Sequence, residues 1–145
     1  MAAGVVAGTI VKKVNDANQT STVNIPVVVP SNASAEKGFR LESIEIDFEI
    51  TGAALEEVTA VFNKVTRGAN LAVASVAAQT FTYDTGHDAA AERYAVEQHK
   101  MTLTLTTPVW VDNDVYFLIE LTINQAGDTG VIEFLGAVAN GRLRL

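Results

Sequence analysis

Gly38-Phe39-Arg40-Leu41-Glu42-Ser43-Ile44-Glu45-Ile46-Asp47-Phe48-Glu49-Ile50-Thr51 is the stretch whose reading decides the fold. From Ile44 to Ile50 it alternates strictly, with Ile44, Ile46, Phe48 and Ile50 on one parity and Glu45, Asp47 and Glu49 on the other. Side chains on a strand change face at every residue, so the pattern predicts a strand with one buried face and one wet, acidic face. Phe39 and Leu41 fall on the opposite parity. Either a bulge near Glu42 and Ser43 resets the register, or a second layer of protein covers the start of the strand. Like charges two apart on a strand repel, so the acidic face calls for exposure or for basic partners on the adjacent strands.

The same periodicity recurs along the chain. Val115 to Asn124 sets Val115, Phe117, Ile119, Leu121 and Ile123 against Tyr116, Leu118, Glu120, Thr122 and Asn124. Met101 to Thr107 alternates apolar residues with threonine until Pro108, where the pattern predicts an end. Val58 to Thr66 reads as a strand after the turn Gly52-Ala53-Ala54, most simply as the antiparallel partner of the strand before it. Val23 to Val29 is β-branched but carries Pro26 and is closed by Pro30, which predicts an edge strand or one that pairs only at its ends, because proline cannot donate to a ladder. Val131 to Leu135 and its extension to Leu145 form the last strand, where Gly136 and Gly141 indicate a bend or a close approach of backbone. Leu71 to Thr82 is Ala/Val-rich and open between strand and helix; its β-formers favour strand. Asp84 to Gln98 is the least strand-like part and predicts a short helix or an ordered surface loop.

The sum is about seven or eight strands with at most one short helix, an all-β antiparallel sandwich of jelly-roll type. Residues 1–20 read as an N-terminal arm or edge strand, and 21–145 as a single jelly-roll domain. Two roles stay open for the arm: the first strand of the same sheet, or an extended segment that packs on a neighbouring subunit.

Composition limits the function. The 145 residues carry a net charge of −7, and the ten basic residues form no stripe, which argues against nucleic acid as a partner. Hydrophobic residues make up 48% of the chain, enough for a folded core. The mean hydropathy of +0.21 points to apolar surface buried between subunits. Cysteine is absent, so disulfides and thiolate sites are excluded. The apolar run before Val11 is too short to span a bilayer, and Lys12 and Lys13 follow it rather than precede it, the wrong order for a secretory signal. The expectation is a soluble protein made in the cytoplasm, with no membrane partner.

Nothing in the residue pattern announces catalysis. His87 lies in Thr85-Gly86-His87-Asp88, which reads as a surface turn, and His99 adjoins a strand start; both read as ordinary surface or partly buried histidines. No nucleophile elbow, paired-histidine metal spacing or phosphate loop occurs, so the expectation is no enzyme, no cofactor and no metal. Asp112-Asn113-Asp114 has the acidic start of a calcium loop but lacks the glycine and distal glutamate of an EF-hand, and reads as a turn. Trp110, the single tryptophan, is a core or interface residue in the plain reading. In the alternative, Trp110 with Asp112, Asn113 and Asp114 forms a stacking platform for a sugar ring, and the chain is a carbohydrate-binding β-sandwich module.

Gly38 to Val65 together with Val115 to Arg142 carry a resemblance. Gly-Phe-Arg-Leu-Glu-Ser-Ile-Glu-Ile leads through a hairpin into Val-Phe-Asn-Lys-Val-Thr. A threonine-rich strand ending in Thr-Pro follows, then Val-Tyr-Phe-Leu-Ile-Glu-Leu-Thr-Ile and a final Gly-containing strand. This resembles the jelly-roll head decoration, or cement, proteins of tailed bacteriophages. The resemblance implies a structural virion protein, commonly a homotrimer, on the capsid exterior, with the major capsid protein or another virion protein as its partner and synthesis in the host cytoplasm. Under it, Val5, Val6, Ile10 and Val11 of the arm, residues 1–18, or else the loops at one end of the sandwich, are expected to contact a neighbouring subunit or the shell.

Overall fold

The structure is a computed structural model that describes residues 2–6, 9–14, 19–27, 38–68, 75–111, 114–125, 127 and 129–143; for 2–6, 9–14 and 143 it describes the backbone only. Strands β1 (Ala2–Val6), β2 (Thr9–Val14), β3 (Thr20–Val27), β4 (Phe39–Thr51), β5 (Glu57–Thr66), β6 (Ser75–Gln79) and β7 (Phe81–Tyr83) precede the one-turn helix α1 (Ala90–Arg93). Strands β8 (Gln98–Val111), β9 (Val115–Asn124) and β10 (Val131–Leu143) complete the chain. They form an antiparallel six-stranded sheet, β1-β2-β10-β4-β8-β7, and an antiparallel four-stranded sheet, β3-β9-β5-β6.

Without the flanking β1 and β7, the order β2-β10-β4-β8 lies over β3-β9-β5-β6. From β2 to β10 each step crosses to the other sheet, apart from the β5–β6 pair and the edge strand β7 that precedes β8. This interleaving is the jelly roll, and the all-β sandwich expected from the pattern is the fold observed. One expectation is corrected. β5 is not the antiparallel partner of β4: the two lie in different sheets, and β5 pairs with β9 and β6. The residues between them make an arch, not a hairpin, because Ile44–Ile50 and Val58–Phe62 both need cover for an apolar face and supply it to each other across the sandwich.

The core is the sum of the inward parities. Ile44, Ile46, Phe48 and Ile50 of β4, Met101, Leu103 and Leu105 of β8, and Ile132 and Phe134 of β10 meet Val58 and Phe62 of β5 and Phe117, Ile119, Leu121 and Ile123 of β9. The parity change before Ile44 is a bulge: β4 slips between Leu41 and Ser43 against β8, and β10 slips between Asn140 and Gly141 on the other side. Glu42 is the extra residue, which is how Phe39 and Leu41 are buried as well as Ile44. β10 carries a compensating extra residue, Leu135, between Phe134 and Gly136.

The prolines sit where a missing donor does least harm. Pro26 is on β3, an edge strand as predicted. Pro108 does not end its strand. β8 runs on to Val111, but its pairing with β4 jumps from Thr104 to Val109, so Pro108 falls in a stretch not paired to β4. Within the described part of 71–82 the chain is strand. It breaks at Thr80, where β6 leaves the four-stranded sheet and β7 joins the six-stranded one; the Thr106 N–H donates to the Thr80 carbonyl at 2.9 Å.

Candidate functional site

The connections 52–56 and 84–97 and residues 125, 129 and 130 gather at one end of the sandwich. The Leu55 N–H donates to the Tyr94 carbonyl at 3.1 Å and the Ile50 N–H to the Glu97 carbonyl at 3.0 Å, so the α1 segment is strapped over the β4–β5 arch. Gln125 donates its buried amide to the Gly130 carbonyl in the neighbouring turn.

Beneath the strap lies a buried polar cluster. Nδ1 of His87 is 2.8 Å from Oδ1 of Asp84, its Nε2 is 3.2 Å from Nδ1 of His99, and Nε2 of His99 is 3.0 Å from the Ala95 carbonyl. The His99 ring stacks on Phe48 with centroids 4.5 Å apart. Asp84 also accepts the Thr102 N–H at 2.6 Å and the Gly86 N–H at 2.9 Å. Burial pushes the Asp84 carboxyl up, but the Thr102 N–H, the His87 ring and the Gly86 N–H outweigh it and hold the carboxyl below its usual range. Arg93, buried on α1, donates to the Val58, His87 and Asp88 carbonyls at 3.0, 2.8 and 3.0 Å, and its guanidinium lies 4.3 Å from the Tyr83 ring centroid. Tyr83 in turn accepts the Ala60 N–H at 3.0 Å. Arg93 and Tyr83 thereby tie one sheet to the other through polar groups that burial would otherwise leave unsatisfied.

The two histidines are thus corrected from ordinary surface or partly buried groups to buried partners of each other. His99 shares the inward parity of Met101, Leu103 and Leu105, a signal present in the alternation of β8. The Asp84–His87 pair has the order of an acid–base relay. The ring nitrogen that would serve a substrate, Nε2, is occupied by His99, and both rings are buried. Chemically the cluster can hold a proton inside the chain and satisfy backbone carbonyls. No group of three or more His, Cys, Asp or Glu side chains among the described residues is placed to hold a metal ion.

The other residues singled out in the sequence fall elsewhere. Trp110 is 42% exposed near the end of β8. It sits opposite Arg40, whose guanidinium is 5.9 Å from the indole centroid, and beside Gly38, whose φ is 63°. Arg40 and Arg142 both hold Glu42, at 2.7 and 3.1 Å; the Arg40 hydrogen bond is the main reason the Glu42 carboxyl lies below its usual range. Asp112 and Asn113 lie outside the described residues. Asp114 is exposed on the four-stranded side, where its carbonyl accepts the Arg67 N–H at 2.7 Å and a shallow cleft is lined by Arg67, Asp114, Val115 and Tyr116. Val5 and Val6 are in β1, and Ile10 and Val11 are in β2; β2 pairs with β10, with Val11 opposite Phe134.

The outer faces of the two sheets differ. On the six-stranded sheet, Glu45, Asp47 and Glu49 line up outward as expected, and Lys100 from β8 reaches Glu45 at 3.0 Å, a hydrogen bond that raises the lysine above its usual range. On the four-stranded sheet the outer face is graded. Toward one end lie Thr22, Thr122 and Thr59 in register; toward the other lie Tyr116, Val65 and Val76 in register, next to the row Pro26, Leu118, Asn63 and Ala78. Val76 is 65% exposed, while Val65 is only 6% exposed although it lies outside the core between the sheets. No protein-family model matches the chain, and no curated protein or solved structure matches it significantly.

Proposed function

We propose that this chain is a structural virion protein, a capsid decoration or cement protein that self-associates as a homotrimer and binds the exterior of a shell built by the major capsid protein. The observation that carries the reading is the apolar end of the outer face of the four-stranded sheet, where Tyr116, Val65, Val76, Leu118 and Pro26 occupy adjacent strands. Apolar surface grouped on one face gains about 25 cal/mol per Å² when a partner covers it. A symmetric oligomer repeats the patch around its axis, and a protein that binds the assembled shell better than free subunits stabilises the shell by mass action. The resemblance in strand order and residue flavour supports the same reading. In it the chain is no enzyme and needs no cofactor. Sedimentation equilibrium of the parent and of the Val76→Lys/Tyr116→Lys variant tests self-association. A tight trimer that the double variant dissociates is expected, with cosedimentation on cognate shells lost in parallel; a monomeric parent overturns the proposal.

A second reading rests on the exposed Trp110. Its indole, flanked by the Arg40 guanidinium, has the form of a stacking platform for a sugar ring. A tryptophan fluorescence titration against a glycan panel decides it, and no shift with any sugar removes the carbohydrate-binding module.

A further inference from the structure

We propose that His87 and His99 share one proton beyond those of two neutral imidazoles, and that this proton pins the 84–97 segment across the end of the sandwich. The argument is a count of donors. The Ala95 carbonyl can only accept, so Nε2 of His99 carries a hydrogen. The Asp84 carboxylate can only accept, so Nδ1 of His87 carries another. The contact between Nε2 of His87 and Nδ1 of His99, at 3.2 Å, is a hydrogen bond only if one of those nitrogens carries a third. Two neutral imidazoles supply two ring hydrogens; the complete chain needs three. The pair is a monocation spread over two rings, with Asp84 as its counterion. The competing arrangement, a protonated Asp84 donating to a neutral pair, fails on the carboxylate side. Both Asp84 oxygens already accept backbone N–H groups, and those bonds favour the ionised form.

The charged pair is the second buried positive group at this end of the sandwich, beside Arg93. From β4 and β10 the cluster meets apolar rings, Phe48 against His99 and Phe134 against Phe48. From α1 it meets Arg93, a like charge that spends its N–H groups on three carbonyls, and from β7 it meets Tyr83, whose ring takes the guanidinium on its face. Asp88 and Glu92 both turn to the Ala89 N–H, and Lys100 of β8 is held by Glu45 on the outer face of the sheet. Asp84 is the carboxylate in direct contact with the pair.

Loss of the proton leaves two lone pairs facing each other between the rings, and the strap over the β4–β5 arch loosens.

The first test is nitrogen-15 NMR of the imidazoles in the intact protein at about pH 7.5, a unit above ordinary histidine titration. Three protonated ring nitrogens out of four are expected, the third hydrogen shared between Nε2 of His87 and Nδ1 of His99. One N–H on each ring overturns the proposal. The second test is hydrogen-exchange protection of residues 85–97 at that same pH in the parent, His87→Gln and His99→Gln. Each substitution is expected to remove protection of the strap while that of β9 persists, and strap protection unchanged in whichever variant folds refutes the proposal.

Discussion

Gly141→Ala is the sharpest test of how β4 and β10 are joined. Gly141 lies opposite Leu41, immediately after the register slip that accommodates Glu42. A β-carbon built there would lie 2.6 Å from Cζ of Phe39 and closer still to the Arg40 carbonyl oxygen. Neither neighbour can yield: Phe39 is buried in the core, and the Arg40 carbonyl is ladder backbone between β10 and β8. Overpacking of a core costs about 1–3 kcal/mol, and the backbone clash puts this case at the upper end, about 3 kcal/mol. For a chain of this length that lowers the melting temperature by about 9 °C. Gly127→Ala is the control, because a β-carbon there meets nothing within 4 Å and the backbone is not left-handed; it is expected to be neutral or to stabilise by up to about 1 kcal/mol. Urea denaturation followed by far-ultraviolet circular dichroism measures both. If Gly141→Ala unfolds within about 1 kcal/mol of the parent, below the range for overpacking, the bulge is free to shift and the argument for a fixed register fails.

Arg93→Lys keeps the charge but loses the planar fork that reaches the Val58, His87 and Asp88 carbonyls together. It is expected to cost at least about 3 kcal/mol in denaturant unfolding, since hydrogen bonds from a charged group contribute about 1.5–3 kcal/mol each. The Asp84 carboxyl is held low in the folded chain, so its contribution is present above the unfolded value near pH 3.9 and is lost as pH falls through the lower folded value. An acid titration of stability should therefore show a steeper loss in the parent than in Asp84→Asn, and equal slopes would contradict the assignment. Self-association through the apolar end of the four-stranded sheet should strengthen with added salt, because each chain carries −7 and screening weakens the repulsion between copies. Dissociation at high salt, followed by sedimentation, would point to an interface of ion pairs instead.

What could be read from the sequence was whatever alternation encodes. The inward rows of β4, β8 and β9 follow from side chains changing face at each residue, and the edge position of Pro26 from its missing N–H; of the two explanations the parity change near Glu42 allowed, a bulge or a second covering layer, the structure has the bulge. Pairing is a different kind of information. Gly52-Ala53-Ala54 looks like a hairpin turn because turn residues say that a strand stops, not which sheet the next one enters. Gly52, at φ 80°, turns the chain beneath the Thr129 carbonyl and into the opposite sheet. The polar cluster was hidden for the same reason. Asp84 and His87 are near neighbours, but His99 joins them only because β7, α1 and the start of β8 fold back on one another. The inward parity of His99 was visible; its partner was not.

The two outer faces have different physical uses, and the core explains why both can exist on one small chain. Because the inward rows alone fill the sandwich, neither outer face is needed for folding, so each is free to serve contacts or solubility. Glu45, Asp47 and Glu49 stand in a row with Glu133 opposite Glu49 and Lys12 of β2 opposite Glu133, and Lys100 is held by Glu45. Closing a second protein over such a face would strip water from several charged groups, which is costly. The apolar end of the four-stranded sheet presents fewer charges: Val76 and Tyr116 are the exposed side chains that lose hydration when covered, Val65 is already buried beside them, and Arg67 and Asp114 are the charged groups lining the adjoining cleft, while the threonine rows lie at the far end. The opposite end of the roll is sealed from within by Arg93, Tyr83 and the histidine pair, whose hydrogen bonds are spent inside the chain. Contact with a partner is therefore favoured on the four-stranded face by what it exposes, and disfavoured on the six-stranded face by what covering it would bury.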